Sequence, residues 1–166
     1  PGCQGRQRAD LLLRAGPLDC VRNVKVPGDS QECCMGCQGG LMDYAFKYMI
    51  DSQSGKDDTE SSYPYKGVQS TCAFSSANAG PAAVKSYTDI KAGDEDSLQD
   101  AVANVGPISV AVDANMFWQL YGGGVFKPLF CNKSTLNHGV AVVGYGEDNG
   151  TKYWIVRNSW NVDWGE

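Results

Sequence analysis

The sequence predicts an α+β protein made of two domains, a helical one followed by a β-rich one. The first observation is a helical spacing of apolar residues at 41–51, and the second is a set of three β-rich runs in the second half of the chain. The runs are residues 108–112, 139–143 and 153–156. We therefore expect residues 1–85 to form a helical domain with long, disulfide-held loops and residues 86–166 to form a β-rich domain.

The first predicted helix follows a glycine pair. Behind Gly39 and Gly40, apolar residues recur at intervals of three and four, which is the spacing of one helix face. They are Leu41, Tyr44, Ala45, Tyr48 and Met49. We expect a helix from about Leu41 to Asp51. Residues 1–38 show no comparable period, and little structure is assigned to them.

A long loop and a short helix are expected to connect this helix to the β-rich runs. Residues 55–81 are rich in Ser, Asp, Gly and Pro without a sustained period, which is typical of a loop. A crosslink through Cys72 would hold the loop in place. A short helix is expected near residues 97–104, where Asp94 or Asp96 would accept hydrogen bonds from the backbone amides of the first turn.

The last two β-rich runs form a predicted hairpin. Asn149 and Gly150 lie between them, and both residue types tolerate the positive φ of a tight turn. The two strands then bring His138 and Asn158 to the same rim of the sheet. A two-residue loop alone would point these side chains to opposite faces, because side chains alternate along a strand. We therefore expect either a loop with an odd number of residues or a β-bulge.

His138 is the only histidine in the chain and the main candidate for catalysis. If the side-chain oxygen of Asn158 accepts one imidazole N–H, the other ring nitrogen can be held toward a nucleophile. The indole rings of Trp160 and Trp164 would exclude water from this hydrogen bond and strengthen it. The alternatives are a structural histidine and two ordinary core tryptophans.

The cysteine content indicates an oxidising compartment. The chain has 7 cysteines, and Asn132 and Asn149 each open an Asn-x-Ser/Thr sequon, which makes them glycosylation candidates. We expect a lysosomal or secreted protein. A redox or metal-binding motif from Cys34 to Cys37 is the weaker alternative, because the sequence shows neither a βαβ context nor a second ligand pair. We therefore expect no metal and no cofactor.

Charge and hydropathy exclude two classes of partner. The net charge is −5, which gives nucleic acid no electrostatic reason to bind. No stretch approaches the roughly 18 uninterrupted apolar residues of a membrane span. The chain also opens at Pro1 without a basic-then-apolar leader. We expect neither nucleic acid nor a membrane among the partners.

Three motifs, taken in order, resemble the histidine and asparagine signatures of the papain-like cysteine peptidases, in the cathepsin L-like branch. They are Leu-Asn-His-Gly at 136–139, Val-Val-Gly-Tyr-Gly at 142–146 and Tyr-Trp-Ile-Val-Arg-Asn-Ser-Trp at 153–160. Residues 36–46, 62–65 and 105–113 match the same family. The resemblance covers the chain from about Cys20 onward. It implies a papain-like two-lobed fold, with a partial helical lobe and an antiparallel, β-barrel-like lobe that is truncated at its C-terminus.

The resemblance also implies a role for each matched residue. His138 would be the general base and later the acid, Asn158 its orienting partner, and Trp160 the shield over their hydrogen bond. The substrate-binding positions would be Gly39, Gly40, Leu41, Met42, Ala111, Leu136 and Asn137. Gly40 would offer backbone hydrogen bonds to an extended peptide, and the apolar members would line a pocket for the side chain two residues before the scissile bond.

Disulfides and partners follow from the same resemblance. Cys20 would pair with Cys72, whereas Cys37 would lose its usual upstream partner. The implied partners are peptide or protein substrates and cystatin-like or propeptide inhibitors. We expect a monomer.

The nucleophile signature of the family, Cys-Gly-Ser-Cys-Trp, does not occur in the sequence. Cys3 is the candidate substitute, but Gln4-Gly5-Arg6 follows it where the family begins a central helix. We therefore expect a cysteine endopeptidase that acts through a thiolate–imidazolium pair. We also expect this chain to lack the nucleophile. The alternative is a non-catalytic or truncated papain-like protein that binds peptide or inhibitor without turnover.

Overall fold

The computed structural model of the protein describes residues 15–22, 24, 34–160 and 162–166, so Cys3 lies outside the described residues. These residues divide into two compact units, which separate between Asp89 and Ile90. No helix among them is long and apolar enough to cross a membrane. The elements in chain order are α1 (Ala15–Cys20), a short 3-10 helix (Gly36–Gln38), α2 (Met42–Gln53), α3 (Glu95–Asn104), β1 (Ile108–Val112), α4 (Met116–Gln119), β2 (His138–Asp148) and β3 (Thr151–Arg157).

Helix α2 is the longest helix of the first unit among the described residues. Leu41 precedes it with an extended backbone at φ −108° and ψ 146°, and Ser54 ends it with a left-handed φ of 54°. Tyr44 and Met49 are the buried apolar residues of the helix. The helix predicted from Leu41 to Asp51 is confirmed, and it begins one residue later and ends two residues later than the periodicity indicated.

The long loop after α2 is tied to α1 by a disulfide and by a buried carboxylate. Cys20, the last residue of α1, forms a disulfide with Cys72, which confirms the pairing implied by the resemblance. The neighbouring Asp19 is 6% exposed. Its carboxylate accepts hydrogen bonds from the Tyr63 hydroxyl at 2.8 Å and from the amide and hydroxyl of Ser70 at 2.7 Å each. These contacts order a segment whose sequence has no period.

Cys37 corrects one expectation. It is disulfide-bonded, whereas the family pattern left it without a partner.

The second unit contains a three-stranded antiparallel sheet in the order β1-β2-β3. Helix α3 precedes the sheet, and Asp94 caps it by accepting the Ser97 amide at 3.0 Å. Val140, Ala141 and Val142 in the central strand are all buried. Each of the three predicted β-rich runs is a strand, and β2 and β3 extend beyond the predicted runs.

The hairpin between β2 and β3 contains both a tight turn and a bulge. Asn149 and Gly150 form a two-residue turn, with φ of 48° and 77°. The register of β2 against β3 shifts by one residue between Val142 and Gly144, which leaves Val143 as the extra residue. The sequence predicted either an odd-length loop or a β-bulge, and the structure has the bulge.

Helix α4 was not predicted. It is four residues long, and the side-chain oxygen of Asn115 caps it by accepting the amides of Phe117 at 3.0 Å and Trp118 at 3.2 Å. A single helical turn is too short to produce a readable period, so only its capping residue could have indicated it.

Candidate active site

His138 is the first residue of β2, and the backbone around it is fixed on both sides. It pairs with Val112 of β1 and is 5% exposed. Asn137 donates its backbone N–H to the Val112 carbonyl at 3.0 Å, and its side-chain oxygen accepts the Ala114 amide at 2.8 Å. These two bonds hold the start of β2 to β1 and to the turn that follows β1. The imidazole therefore projects from a backbone that has little freedom to shift.

A hydrogen bond joins the histidine and the asparagine. Nε2 of His138 lies 2.8 Å from Oδ1 of Asn158. The same oxygen accepts the backbone N–H of Ser159 at 2.8 Å. Because a backbone N–H can only donate, this second bond fixes which end of the Asn158 amide faces the ring. Nε2 must then carry the hydrogen, and in the neutral ring Nδ1 is the proton acceptor.

The bulge explains why the two side chains meet. Arg157 pairs with Ala141, so the same register continued by one residue places Asn158 opposite Val140. Val140 is two positions from His138 along the strand, and alternate residues of a strand share a face. Without the register shift, Asn158 would lie opposite Ala141, and its side chain would point to the other face.

Burial and the hydrogen bond to Asn158 shift the pKa of the His138 imidazole in opposite directions. Burial lowers the pKa of His138, and the hydrogen bond to Asn158 raises it by a smaller amount. Nδ1 makes no hydrogen bond to any residue that the structure describes. The neutral ring is therefore favoured near pH 7, and its free nitrogen is available to take a proton from a thiol or another acid.

Aromatic side chains lie beside the His138 imidazole. The Trp160 indole lies with its centroid 5.0 Å from that of His138 at an interplanar angle of 32°. Trp164 meets Trp160 edge to face, with centroids 5.2 Å apart and an angle of 82°. Apolar surroundings strengthen a hydrogen bond, and the role of Trp160 as a shield over the histidine–asparagine bond stays a prediction.

Three predicted substrate-binding residues belong to the same unit as His138. Ala111 is exposed and pairs with Gly139, and Leu136 is 58% exposed two residues before the histidine. Both present apolar side chains to solvent. Asn137 differs, since its side-chain oxygen is engaged with the Ala114 amide.

The other four predicted substrate-binding residues form a consecutive run, Gly39 to Met42, in the first unit. Gly39 closes a tight turn by donating to the Gly36 carbonyl at 3.0 Å and accepting from the Met35 amide at 2.9 Å. A side chain on Gly40 would place its Cβ 3.0 Å from the sulfur of Cys34. Glycine is thus favoured at position 40 by packing.

The remaining predicted sites lie on the surface. Asn132 and Asn149 are both exposed, and Asn132 accepts the Ser134 amide at 3.0 Å within its own sequon. Cys131 is exposed and outside any disulfide. Within the described ranges, no three His, Cys, Asp or Glu residues are grouped so that they could hold a metal ion.

Two parts of the site were not found from the sequence. The Ser159 amide fixes the orientation of Asn158, and the Asn137 side chain fixes the backbone before His138. Asparagine commonly accepts hydrogen bonds from nearby backbone amides, so both residues carried a readable signal. Whether each bond forms depends on the backbone geometry at strand ends, which the sequence pattern does not specify.

Comparisons with known proteins agree with this geometry. The Papain family cysteine protease model matches residues 16–166. Cathepsin L of Sarcophaga peregrina is 50% identical over 133 residues, covering 79% of this chain and 38% of that protein. Cathepsin K of Mus musculus is 44% identical over 166 residues, covering 98% of this chain and 46% of that protein. The chain thus spans less than half the length of these curated relatives.

Solved structures give the same result for the fold. The digestive procathepsin L 3 of Tenebrio molitor larval midgut superposes with a TM-score of 0.79 at 43% identity, covering 92% of this chain and 46% of that one. The bromelain protease of Ananas comosus, in complex with the E64 inhibitor, gives a TM-score of 0.76 at 37% identity, covering 95% and 66%. The papain-like fold predicted from the sequence is confirmed.

Proposed function

This chain belongs to the papain family of cysteine proteases, and we propose that it serves as the histidine-and-asparagine half of an endopeptidase active site. The observation that carries the proposal is the bond between Nε2 of His138 and Oδ1 of Asn158, 2.8 Å long, with its direction fixed by the Ser159 amide. That arrangement leaves Nδ1 as the atom that exchanges a proton with a nucleophile and a leaving group.

The reaction requires three proton transfers at Nδ1. A cysteine thiol gives its proton to Nδ1, and the thiolate attacks the substrate carbonyl carbon to form a C–S bond. Nδ1 then donates that proton to the amine nitrogen as the C–N bond breaks. In the second half, Nδ1 takes a proton from water, the hydroxide attacks the thioester, and the C–S bond breaks to restore the thiolate. Asn158 keeps the ring in one orientation throughout.

The nucleophile is proposed to be a cysteine that this chain does not contribute. Cys20, Cys37 and Cys72 are disulfide-bonded and cannot form a thiolate. The family's Cys-Gly-Ser-Cys-Trp signature is not among the 166 residues. The same observation favours the second candidate function, a papain-like protein that binds peptide or inhibitor without turnover.

The proposed substrates are peptides and proteins with an apolar residue two positions before the scissile bond. The exposed apolar side chains of Ala111 and Leu136 near His138 support this, as does Leu41, which is 51% exposed beside Gly40. Met42 and Gly39 complete the proposed set, with Asn137 as the support of the histidine backbone. Gly40 would bind the extended backbone of the peptide.

Compartment and partners are proposed on separate grounds. The Cys20–Cys72 disulfide supports an oxidising, lysosomal or secreted location. Exposed sequons support glycosylation at Asn132 and Asn149. Cystatin-like or propeptide inhibitors and a monomeric state are part of the same proposal.

Hydrolysis of a fluorogenic peptide by the full-length natural protein tests the function. We expect turnover that iodoacetamide abolishes, and His138→Ala should reduce kcat/KM by roughly 10² to 10⁴-fold, the usual contribution of a general acid–base group. Asn104→Ala, a substitution on the exposed surface of α3, should leave the rate unchanged. Turnover that survives the loss of His138 would contradict the proposal, and binding of peptide with no turnover would establish the second candidate.

A further inference from the structure

We propose that Asn132 carries an N-linked glycan whose first sugar, an N-acetylglucosamine, lies in a surface pocket against the ring of Phe130. The inference rests on the secretory location in the proposed function and deepens it. It assigns a contact with the protein to a glycan on Asn132 and none to a glycan on Asn149, and it does not depend on whether the chain takes part in catalysis.

A pocket of about 390 Å³ lies beside the sequon of Asn132. Its walls come from the segment after β1 and from the loop that carries the sequon, and they consist of Asp113, Asn115, Leu129, Phe130, Cys131 and Asn132, all in the second unit. The volume is at the small end of the range for small-molecule sites, which suits one sugar residue rather than a branched glycan. Because the acceptor asparagine is itself part of the wall, a sugar on its side chain begins at the pocket.

Hydrogen bonds hold the loop that forms the pocket. Oδ2 of Asp113 accepts the backbone N–H of Asn132 at 3.1 Å and the side-chain amide of Asn115 at 3.2 Å. The same amide of Asn115 lies 3.4 Å from the carbonyl oxygen of Phe130, to which it donates. Oδ1 of Asp113 accepts no hydrogen bond from the part of the chain that the structure describes, so it can accept one from a sugar hydroxyl or acetamido N–H. The pocket is therefore formed by the protein before any sugar is attached.

The sequon has a defined local conformation that orients the acceptor side chain. Oδ1 of Asn132 accepts the Ser134 amide at 3.0 Å, which closes an Asx turn, and the Asn132 carbonyl accepts the Thr135 amide at 3.1 Å. Nδ2 of Asn132 donates to the Thr135 hydroxyl at 2.7 Å. Since Nδ2 carries two hydrogens, one can still donate to Thr135 after the other has been replaced by a sugar.

The modification is a transfer from a lipid-linked oligosaccharide diphosphate, the donor class for Asn-x-Ser/Thr sequons. Nδ2 of Asn132 attacks the anomeric carbon, and a C–N bond forms as the C–O bond to the diphosphate breaks. A base of the transferase takes the proton from Nδ2, and the lipid diphosphate leaves. The side chain remains a neutral amide, so the hydrogen bond to the Ser134 amide is retained.

Phe130 provides an apolar surface for the sugar. Its side chain is 74% exposed, and that of the neighbouring Leu129 is 93% exposed. Adjacent apolar side chains of this size on a surface indicate a binding site. A pyranose ring presents one face of C–H groups, whose partial positive charge complements the negative face of an aromatic ring. A sugar in the pocket would therefore cover the ring two residues before its own attachment point.

The second sequon lacks such a surface. Asn149 is exposed in the tight turn of the hairpin at φ 48°, and its Nδ2 donates to Oδ1 of Asp148 at 3.1 Å. A Cβ built on the neighbouring Gly150 would meet nothing within 4 Å. A glycan on Asn149 would extend into solvent, so this sequon is a matched control within the same chain.

The competing explanation is that another segment of the longer natural protein covers Phe130. The test uses the full-length natural protein, secreted from a host that adds high-mannose glycans. We expect glycopeptide mass spectrometry to find Asn132 occupied, and an unoccupied Asn132 overturns the inference.

Melting temperatures then locate the first sugar. Endoglycosidase H leaves a single N-acetylglucosamine, whereas Ser134→Ala removes the whole glycan and leaves the Asn132 side chain in place. We expect the trimmed protein to melt with the intact one and Ser134→Ala to melt about 2 to 4 °C lower, the shift that one ordinary contact gives in a protein of 150–250 residues. Thr151→Val, which removes the sequon of Asn149, should cause no loss. A trimmed protein that melts as low as Ser134→Ala, or a Ser134→Ala variant that melts with the intact protein, overturns the inference.

A double-mutant cycle identifies the ring that the sugar contacts. Phe130→Leu should lower the melting temperature more in the glycosylated protein than in the Ser134→Ala background. Phe117→Leu is the control, because Phe117 is 48% exposed and lies outside the pocket wall, and its effect should be equal in both backgrounds. Equal effects of Phe130→Leu in the two backgrounds overturn the contact. Turnover of the fluorogenic peptide, measured on the same samples, should be unchanged by these substitutions, and its absence from all of them would overturn only the peptidase proposal.

Discussion

Each of the two units contains a titratable side chain that burial pushes toward its neutral form. In the first unit, burial raises the pKa of Asp57 from 3.8 to about 6. In the second unit, burial lowers the pKa of His138. The cause is the same, since a low dielectric disfavours the charged form of either group. The consequences are opposite, because a neutral acid is favoured at low pH and a neutral base at high pH.

The partners of the two groups differ as well. The His138 ring has a dedicated acceptor in Asn158, whose own orientation is fixed by the Ser159 amide. The Asp57 carboxylate packs against Gly16, whose Cβ position would lie 3.1 Å from the carboxyl carbon, and it accepts one hydrogen bond, from the Asp58 amide at 3.0 Å. Burial thus shifts the pKa of both groups, whereas only His138 is bonded to a side chain whose own orientation is fixed by a further hydrogen bond.

The largest expected effect concerns the interactions that stabilise each unit. The first unit depends on the Cys20–Cys72 disulfide, which joins residues 52 positions apart. In the loop-entropy model, a crosslink of that span contributes about 4 kcal/mol. We expect Cys20→Ala combined with Cys72→Ala to lower the free energy of unfolding of the first unit by that order, measured by urea denaturation.

The second unit supplies the control for this prediction. Its described residues form a sheet whose strands are joined by backbone hydrogen bonds. The NMR titration of His138 should therefore be unchanged in the disulfide variant under conditions where the protein stays folded. A His138 pKa that moves with the disulfide would show that the two regions are coupled and would remove the basis of the comparison.

Asn158→Ala should have the next largest effect. Without the Oδ1 acceptor, the imidazole can rotate and use the wrong nitrogen, so kcat/KM should fall by roughly a hundredfold. The His138 pKa should fall further, because the bond that raises it is lost. Asn158→Asp keeps an oxygen in the same place and adds a negative charge, so the pKa of the ring should rise instead. Equal pKa shifts in both variants would rule out a direct role for the hydrogen bond.

Sequence patterns predicted the elements that have a strong period and missed what depends on tertiary packing. The alternation of side chains along a strand predicted the strands. It also required a bulge or an odd-length loop to bring Asn158 to the face of the sheet that carries His138. The structure has the bulge, at Val143. The burial of Asp57 was not predictable in this way, because it lies in a Ser-, Asp- and Gly-rich stretch that is typical of exposed loops. Asp57 is half-buried through tertiary packing, including its contact with Gly16, and the sequence pattern does not specify that packing.

The smallest expected effect is the pH dependence that Asp57 gives to the first unit. The folded protein holds the Asp57 proton up to about pH 6, whereas the unfolded chain releases it near pH 3.8. Between these values the folded state binds more protons, so the free energy of unfolding decreases as pH rises through this window. The carboxyl is partly solvated, which reduces the full linkage energy to about 1 to 2 kcal/mol.

Asp57→Asn isolates this contribution, because the amide is neutral at every pH. We expect the melting temperature of the variant to exceed that of the wild type at pH 7.5, to match it near pH 4, and to vary less between them. His138 acts in the opposite sense, since its lowered pKa favours the folded state above that pKa and the stabilisation is lost as pH falls through it. His138→Gln should therefore lessen the loss of stability in acid, and if it instead reproduces the Asp57→Asn profile, the contrast between the two buried groups is wrong.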